Sequence, residues 1–77
     1  VWEKVGNMKI KDLFKILESY ETIEIMQEDN GMLCCGDCVD IWHEHKEYLE
    51  LEVDYICIEM SEDYQEEPIP VLVIEVK

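Results

Sequence analysis

In the segment Val71-Leu72-Val73-Ile74-Glu75-Val76 every side chain except that of Glu75 is apolar. An extended chain turns successive side chains to opposite faces, so this segment has no face to give to water and suits an interior strand. An interior strand has a neighbour on each side, and the rest of a 77-residue chain must supply them. A chain of that length makes one domain with a single modest core. Apolar residues are 48% of it, enough to argue for folding despite a net charge of −14.

The other elements follow from periodicity. Ile10, Leu13, Phe14 and Leu17 recur at helical spacing and predict a helix over about residues 10–20, with Asp12 in the first turn near the positive end of the helix dipole. Thr22-Ile23-Glu24-Ile25-Met26 alternates with a β-branched bias and reads as a strand. Glu28-Asp29-Asn30-Gly31 closes a hairpin, Asn-Gly supplying a type I′ turn, and residues 32–35 return. Residues 39–48 have looser helical spacing and read as one or two helical turns. From Leu49 the period is two: Leu49, Leu51, Val53, Tyr55 and Cys57 face one way, Glu50, Glu52 and Asp54 the other. Ile56 and Ile58 fall on the acidic side, which requires either a bulge or a cover over that end. Residues 61–70 contain both prolines and read as a loop.

The order α-β-β-(α)-β-β predicts an α+β fold, a small four-stranded, mostly antiparallel sheet with the N-terminal helix packed on one face. Its expected core is Leu13, Phe14, Leu17, Ile23, Ile25, Leu33, Leu51, Val53, Leu72, Ile74 and Val76. Residues 1–7 precede Met8, which reads like a translation start. They read as an extension or remnant with little weight in the fold, and residues 8–77 as a single α+β domain.

Charge is segregated along the chain. Residues 1–20 carry four lysines against three acids, whereas residues 21–77 carry seventeen acids against Lys46 and Lys77. Like charges at this density work against the compact state, so the acids either keep the protein soluble or form a field that something basic reads. Ten acids fall between residues 44 and 67. On one strand face Glu50, Glu52 and Asp54 would stand in a row at roughly 6.6–7 Å, a spacing comparable to that of phosphates along a nucleic-acid strand. Trp42, Tyr48, Tyr55 and Tyr64 add amphipathic contact area of the kind interfaces favour. The alternative is a solvated face that charge protects from edge-to-edge pairing.

A pI of about 4.2 argues against direct binding to nucleic acid or to anionic lipid, both polyanions. No apolar run reaches the ~18 residues that cross a bilayer, and no secretory pattern opens the chain. Cytoplasmic placement with reduced thiols is the expectation.

Cys34-Cys35-Gly36-Asp37-Cys38, with His43 and His45 beyond, is dense in soft ligands. Cys35 and Cys38 have the spacing of a zinc knuckle, and His43 or His45 could complete a tetrahedral site, although a second matching pair is absent. The same Cys-x-x-Cys also suits a redox dithiol, but a hairpin rather than a parallel strand precedes it. The plainer reading places Cys34 or Cys35 in the core as a small hydrophobe, and Cys57 likewise. Cys38 and His43 could be drawn as a nucleophile and base, yet the chain is short of material for a cleft and an oxyanion hole. No phosphate-binding loop, nucleophile elbow or metalloprotease motif occurs, so the expectation is a protein that is not an enzyme. The loop also lacks the EF-hand calcium pattern.

Met8-Lys9-Ile10-Lys11-Asp12-Leu13-Phe14-Lys15-Ile16-Leu17, then Thr22-Ile23-Glu24-Ile25, Asn30-Gly31 and the final apolar strand, resemble a type of short acidic open reading frame. Such frames are common in phages and mobile elements of Gram-positive bacteria. Small acidic phage proteins include inhibitors of host defence nucleases, anti-CRISPR proteins among them, and the chain is similar to these in size and charge. The resemblance transfers no functional residue, and the cysteine cluster departs from it.

The preferred expectation is a non-enzymatic interaction protein, of phage or mobile-element type, that inhibits a basic host protein by occlusion or by mimicry of nucleic acid. Glu50, Glu52, Asp54, Glu62, Asp63, Glu66 and Glu67 would make the contact. The alternative is a small zinc module built on Cys35, Cys38 and His43, with Cys34 or His45 as further candidates. A third is an oligomerisation domain that uses Trp42 and the Ile56/Ile58 patch.

Overall fold

The computed structural model describes residues 2–61 and 68–77. Five strands form one mixed sheet in the order β1-β4-β5-β2-β3. They are β1 (Glu3–Lys4), β2 (Thr22–Gln27), β3 (Gly31–Gly36), β4 (Val53–Ser61) and β5 (Ile69–Val76). Between β1 and β2 a 3-10 turn (Ile10–Leu13) runs into α1 (Phe14–Leu17). Between β3 and β4 come α2 (Cys38–Glu44) and a 3-10 turn (Lys46–Tyr48).

The broad α+β expectation holds, but the four-stranded, mostly antiparallel sheet under a single N-terminal helix does not. β5 lies at the centre, antiparallel to β4 and parallel to β2, with Ile23 opposite Leu72 and Ile25 opposite Ile74. β5 is apolar on both faces except at Glu75, and a strand buried in this way gains from a neighbour on each edge, here β4 and β2. The fifth strand is Glu3–Lys4, paired with Ile56 and Tyr55. Two charged residues have no hydrophobic period, so nothing in their pattern announced a strand. The little weight given to residues 1–7 is thereby corrected: the Val5 N–H also donates to the Asp54 carbonyl at 2.8 Å, and Val5 packs against the core.

Both helical segments cover the same face. Ile10, Leu13 and Leu17 from the first and Cys38 and Ile41 from the second are buried with Ile23, Ile25, Cys34, Leu72, Ile74 and Val76. The expected helix is shorter than its periodic stripe because α1 stops at Leu17 and Glu21 leads straight into β2. On the opposite face Cys57, Val71 and Val73 form a second, smaller cluster with Met26 against it. The period-two reading of β4 breaks at Asp54, where the register shifts between Val53 and Tyr55. Val53 joins the helix-side core, and beyond the bulge Tyr55 pairs with Glu75 and Cys57 with Val73 on the other side, while Ile56 returns to the helix side.

Candidate functional site

The strand that was to carry an acidic row begins only at Val53. Residues 49–53 are tied to residues 8–11 through backbone bonds: Ile10 N–H to Leu51 O at 3.1 Å, Lys11 N–H to Leu49 O at 3.1 Å and Val53 N–H to Met8 O at 2.8 Å. Those bonds bring Glu50 beneath two lysines. Its Oε2 accepts from Lys9 Nζ at 3.0 Å and its Oε1 from Lys11 Nζ at 2.9 Å. Hydrogen bonds from Lys11 and Lys9 hold the Glu50 carboxyl below its ordinary range, and the Glu50 carboxylate raises Lys9 in turn. Glu52 makes an isolated bridge with Lys9 and lies 3.4 Å from Lys77 Nζ. Asp54 is the bulge residue, half-buried. The row of Glu50, Glu52 and Asp54 is therefore not formed, because a turn, a bridge and a bulge place them in three different settings. Glu62, Asp63, Glu66 and Glu67 lie outside the described residues, as does Tyr64.

The soft-ligand segment is divided by the pleat of β3. Cys34 is buried in the helix-side core, Cys35 is exposed on the opposite face beside Glu24, and Cys38 is buried at the start of α2. His43 is exposed, and His45 stacks on Tyr48 with ring centroids 5.7 Å apart. Among the described residues no three His, Cys, Asp or Glu side chains gather as a metal would require. Burial pushes the Cys34 thiol up to about 11, with smaller contributions from Cys35 and Glu47. Burial also raises the Cys38 thiol, aided by the carboxylates of Glu18 and Asp37. Both effects oppose the thiolate that a metal or a nucleophilic reaction needs. Cys38 and His43 are five apart on α2, which turns them to different faces.

A different surface emerges on the helical layer. Asp37 caps α2, its Oδ1 accepting the Asp40 N–H at 2.8 Å. The helix spends Cys38 and Ile41 on the core, which leaves Val39 62% and Trp42 38% exposed. Trp42 meets Phe14 of α1 edge to face, with centroids 4.9 Å apart. Beside this pair a groove is lined by Phe14, Glu18, Tyr20, Asp37, Cys38 and Val39. On the far flank of α2 stand Asp40 and Glu44, one turn apart and exposed, Asp40 lying against Gly36. Glu47 follows on the next turn, close enough to act on Cys34.

Sequence reasoning singled out Trp42 as contact area, Phe14 as core and Cys38 as a candidate ligand, and counted Glu44 and Glu47 among the ten acids of residues 44–67. It did not bring these residues together as one surface or assign Glu18, Tyr20, Asp37, Val39 and Asp40 to it. Two signals could have found them: Asp37 three before Asp40 marks an N-cap, and Val39 and Trp42 share a helix face that Cys38 and Ile41 leave outside. No described helix is long and apolar enough to cross a membrane. No protein-family model, curated protein or solved structure matches the chain.

Proposed function

We propose that the protein is a non-enzymatic binding module whose acidic helical face, Asp37, Asp40, Glu44 and Glu47 on α2 and its following turn, engages a basic protein surface in the cytoplasm. One observation carries the reading. Among the described acids only Glu50 and Glu52 form ion pairs, and they take up Lys9, Lys11 and Lys77. Half of the chain's six lysines is thus withdrawn to one corner, and the acids elsewhere are left for a partner to neutralise. The reading keeps occlusion of a basic surface as the mechanism. It drops phosphate-like spacing along a strand, since two of the three residues on which that rested are held by the protein's own lysines. Inhibition of a host protein, as the resemblance to phage and mobile-element proteins implies, is one use to which such a module can be put.

Titration with poly-L-lysine tests the reading. Binding is expected at low salt and is expected to weaken steeply as salt screens the exposed carboxylates. An affinity unchanged from low to high salt would contradict it.

A further inference from the structure

We infer that the groove between α1 and the start of α2 is the anchoring point of this interaction and takes a cationic amphipathic protein segment, one that offers an apolar side chain flanked by Lys or Arg. The inference rests on the proposed binding of a basic partner and adds the place and the chemistry of its centre.

The floor of the groove is apolar, formed by Phe14, Tyr20 and Cys38, and the exposed Val39 lines it as well. Its rim is acidic: Glu18 and Asp37 stand on its two sides, and neither is within ion-pair distance of a lysine. Both carboxylates lie near enough to the Cys38 thiol of the groove to act on it. An apolar floor between two carboxylates without a lysine partner, one of them Asp37 with a single oxygen engaged by the Asp40 N–H, suits an apolar anchor with a cation on each side. A purely polar cation leaves the floor wet, and a neutral apolar segment leaves both carboxylates without a counter-charge. Phe14 and Tyr20 supply, within the groove, the aromatic area in which interface energy concentrates, and Trp42 packs edge to face on Phe14, so that an occupant of the groove is felt at the indole. A second copy of the chain is the poorer occupant. It would bring a net charge of −14 against a rim of the same sign.

The test uses the intact chain with Trp2→Phe, so that Trp42 is the sole indole, and two probes: poly-L-lysine and a synthetic peptide of Lys and Leu at helical spacing. The Lys–Leu peptide is expected to shift Trp42 emission and to keep more of its affinity at high salt than poly-L-lysine does, because the apolar contact is not screened. Val39→Ser, at an exposed position where folding is not at stake, is expected to weaken the Lys–Leu peptide by about tenfold and to leave poly-L-lysine unchanged. Glu18→Gln should weaken both probes. If the peptide binds without altering Trp42 emission, or if Val39→Ser leaves its affinity intact, the groove is not the anchor even though the acidic face binds cations. If neither probe binds at low salt, the proposed function fails with it. Sedimentation without probes provides the remaining arm: a dimer at micromolar concentration that Val39→Ser dissociates would give the groove to a second copy and overturn the inference.

Discussion

Glu50 is the residue at which the local chain path decides the charge pattern, since the backbone bonds of residues 49–53 to residues 8–11 put its two oxygens within reach of Lys11 and Lys9. A carboxyl held below its ordinary range contributes stability above the unfolded-state value and loses it as pH falls through the lowered one. By NMR titration Glu50 should protonate below ordinary glutamates, and Lys9→Ala with Lys11→Ala should return it to the usual range; an unmoved midpoint would count against the pairing. Cys34 behaves with the opposite sign. Its thiol, raised from 9.0 to about 11 by burial, favours the folded state fully below the unfolded-state value, and that contribution is lost as pH rises through the folded one. A disulfide-exchange reagent at neutral pH should therefore label exposed Cys35 in the native protein and reach Cys34 only after denaturation. Asp37→Ala removes the bond to the Asp40 N–H and should cost about 1 kcal/mol in urea unfolding, with Asp37→Asn retaining most of it.

At the scale of the elements, β5 is both the best-read and the most demanding strand. Ile74 is fully buried between Ile25 and Ile56, so Ile74→Ala should cost about 3 kcal/mol and lower Tm by several degrees. The β2–β3 hairpin turns on Gly31, whose φ of 73° is the only left-handed conformation in that turn. Asn30 does not share it, so the expected type I′ turn is replaced by one that the Asn30 N–H closes on the Gln27 carbonyl at 3.1 Å. Gly31→Ala meets no atom, and its cost of about 1 kcal/mol is conformational alone. Period and apolarity made α1, β2 and β5 legible because each shows a continuous pattern over several residues, and the Asn30-Gly31 turn announced β3 as the return strand. The parallel neighbour of β5 was not legible, because pairing partners are chosen in space and the segment records only that it is buried. The start of β4 was misplaced for a related reason: Leu49 is buried and Leu51 half-buried at alternate positions in a turn, where the burial signal mimics a strand. Of the candidate site, the acidity was legible and its geometry was not, since which acids meet lysines depends on contacts 39 and 41 residues apart in sequence.

The whole molecule is a single sheet with its helices on one side and its paired lysines gathered at one corner, so the net charge of −14 is not evenly expressed over the surface. That unevenness gives the surface a direction, and the proposed function takes the basic partner to the helical face rather than to β4. Self-repulsion on this scale also works against folding, so added salt should raise the urea midpoint while it weakens binding; a midpoint that falls would show that attraction between unlike charges dominates the native state. The most direct test of the central claim is calorimetric titration of poly-L-lysine into three proteins at low salt. They are the wild type, the variant Asp40→Asn/Glu44→Gln/Glu47→Gln, and the variant Lys11→Gln/Glu50→Gln, which removes an acid together with a lysine that holds it and leaves the net charge unaltered. The first variant should bind at least about tenfold more weakly than wild type and the second should bind as wild type does. Equal loss in both, or loss only in the second, would contradict the claim.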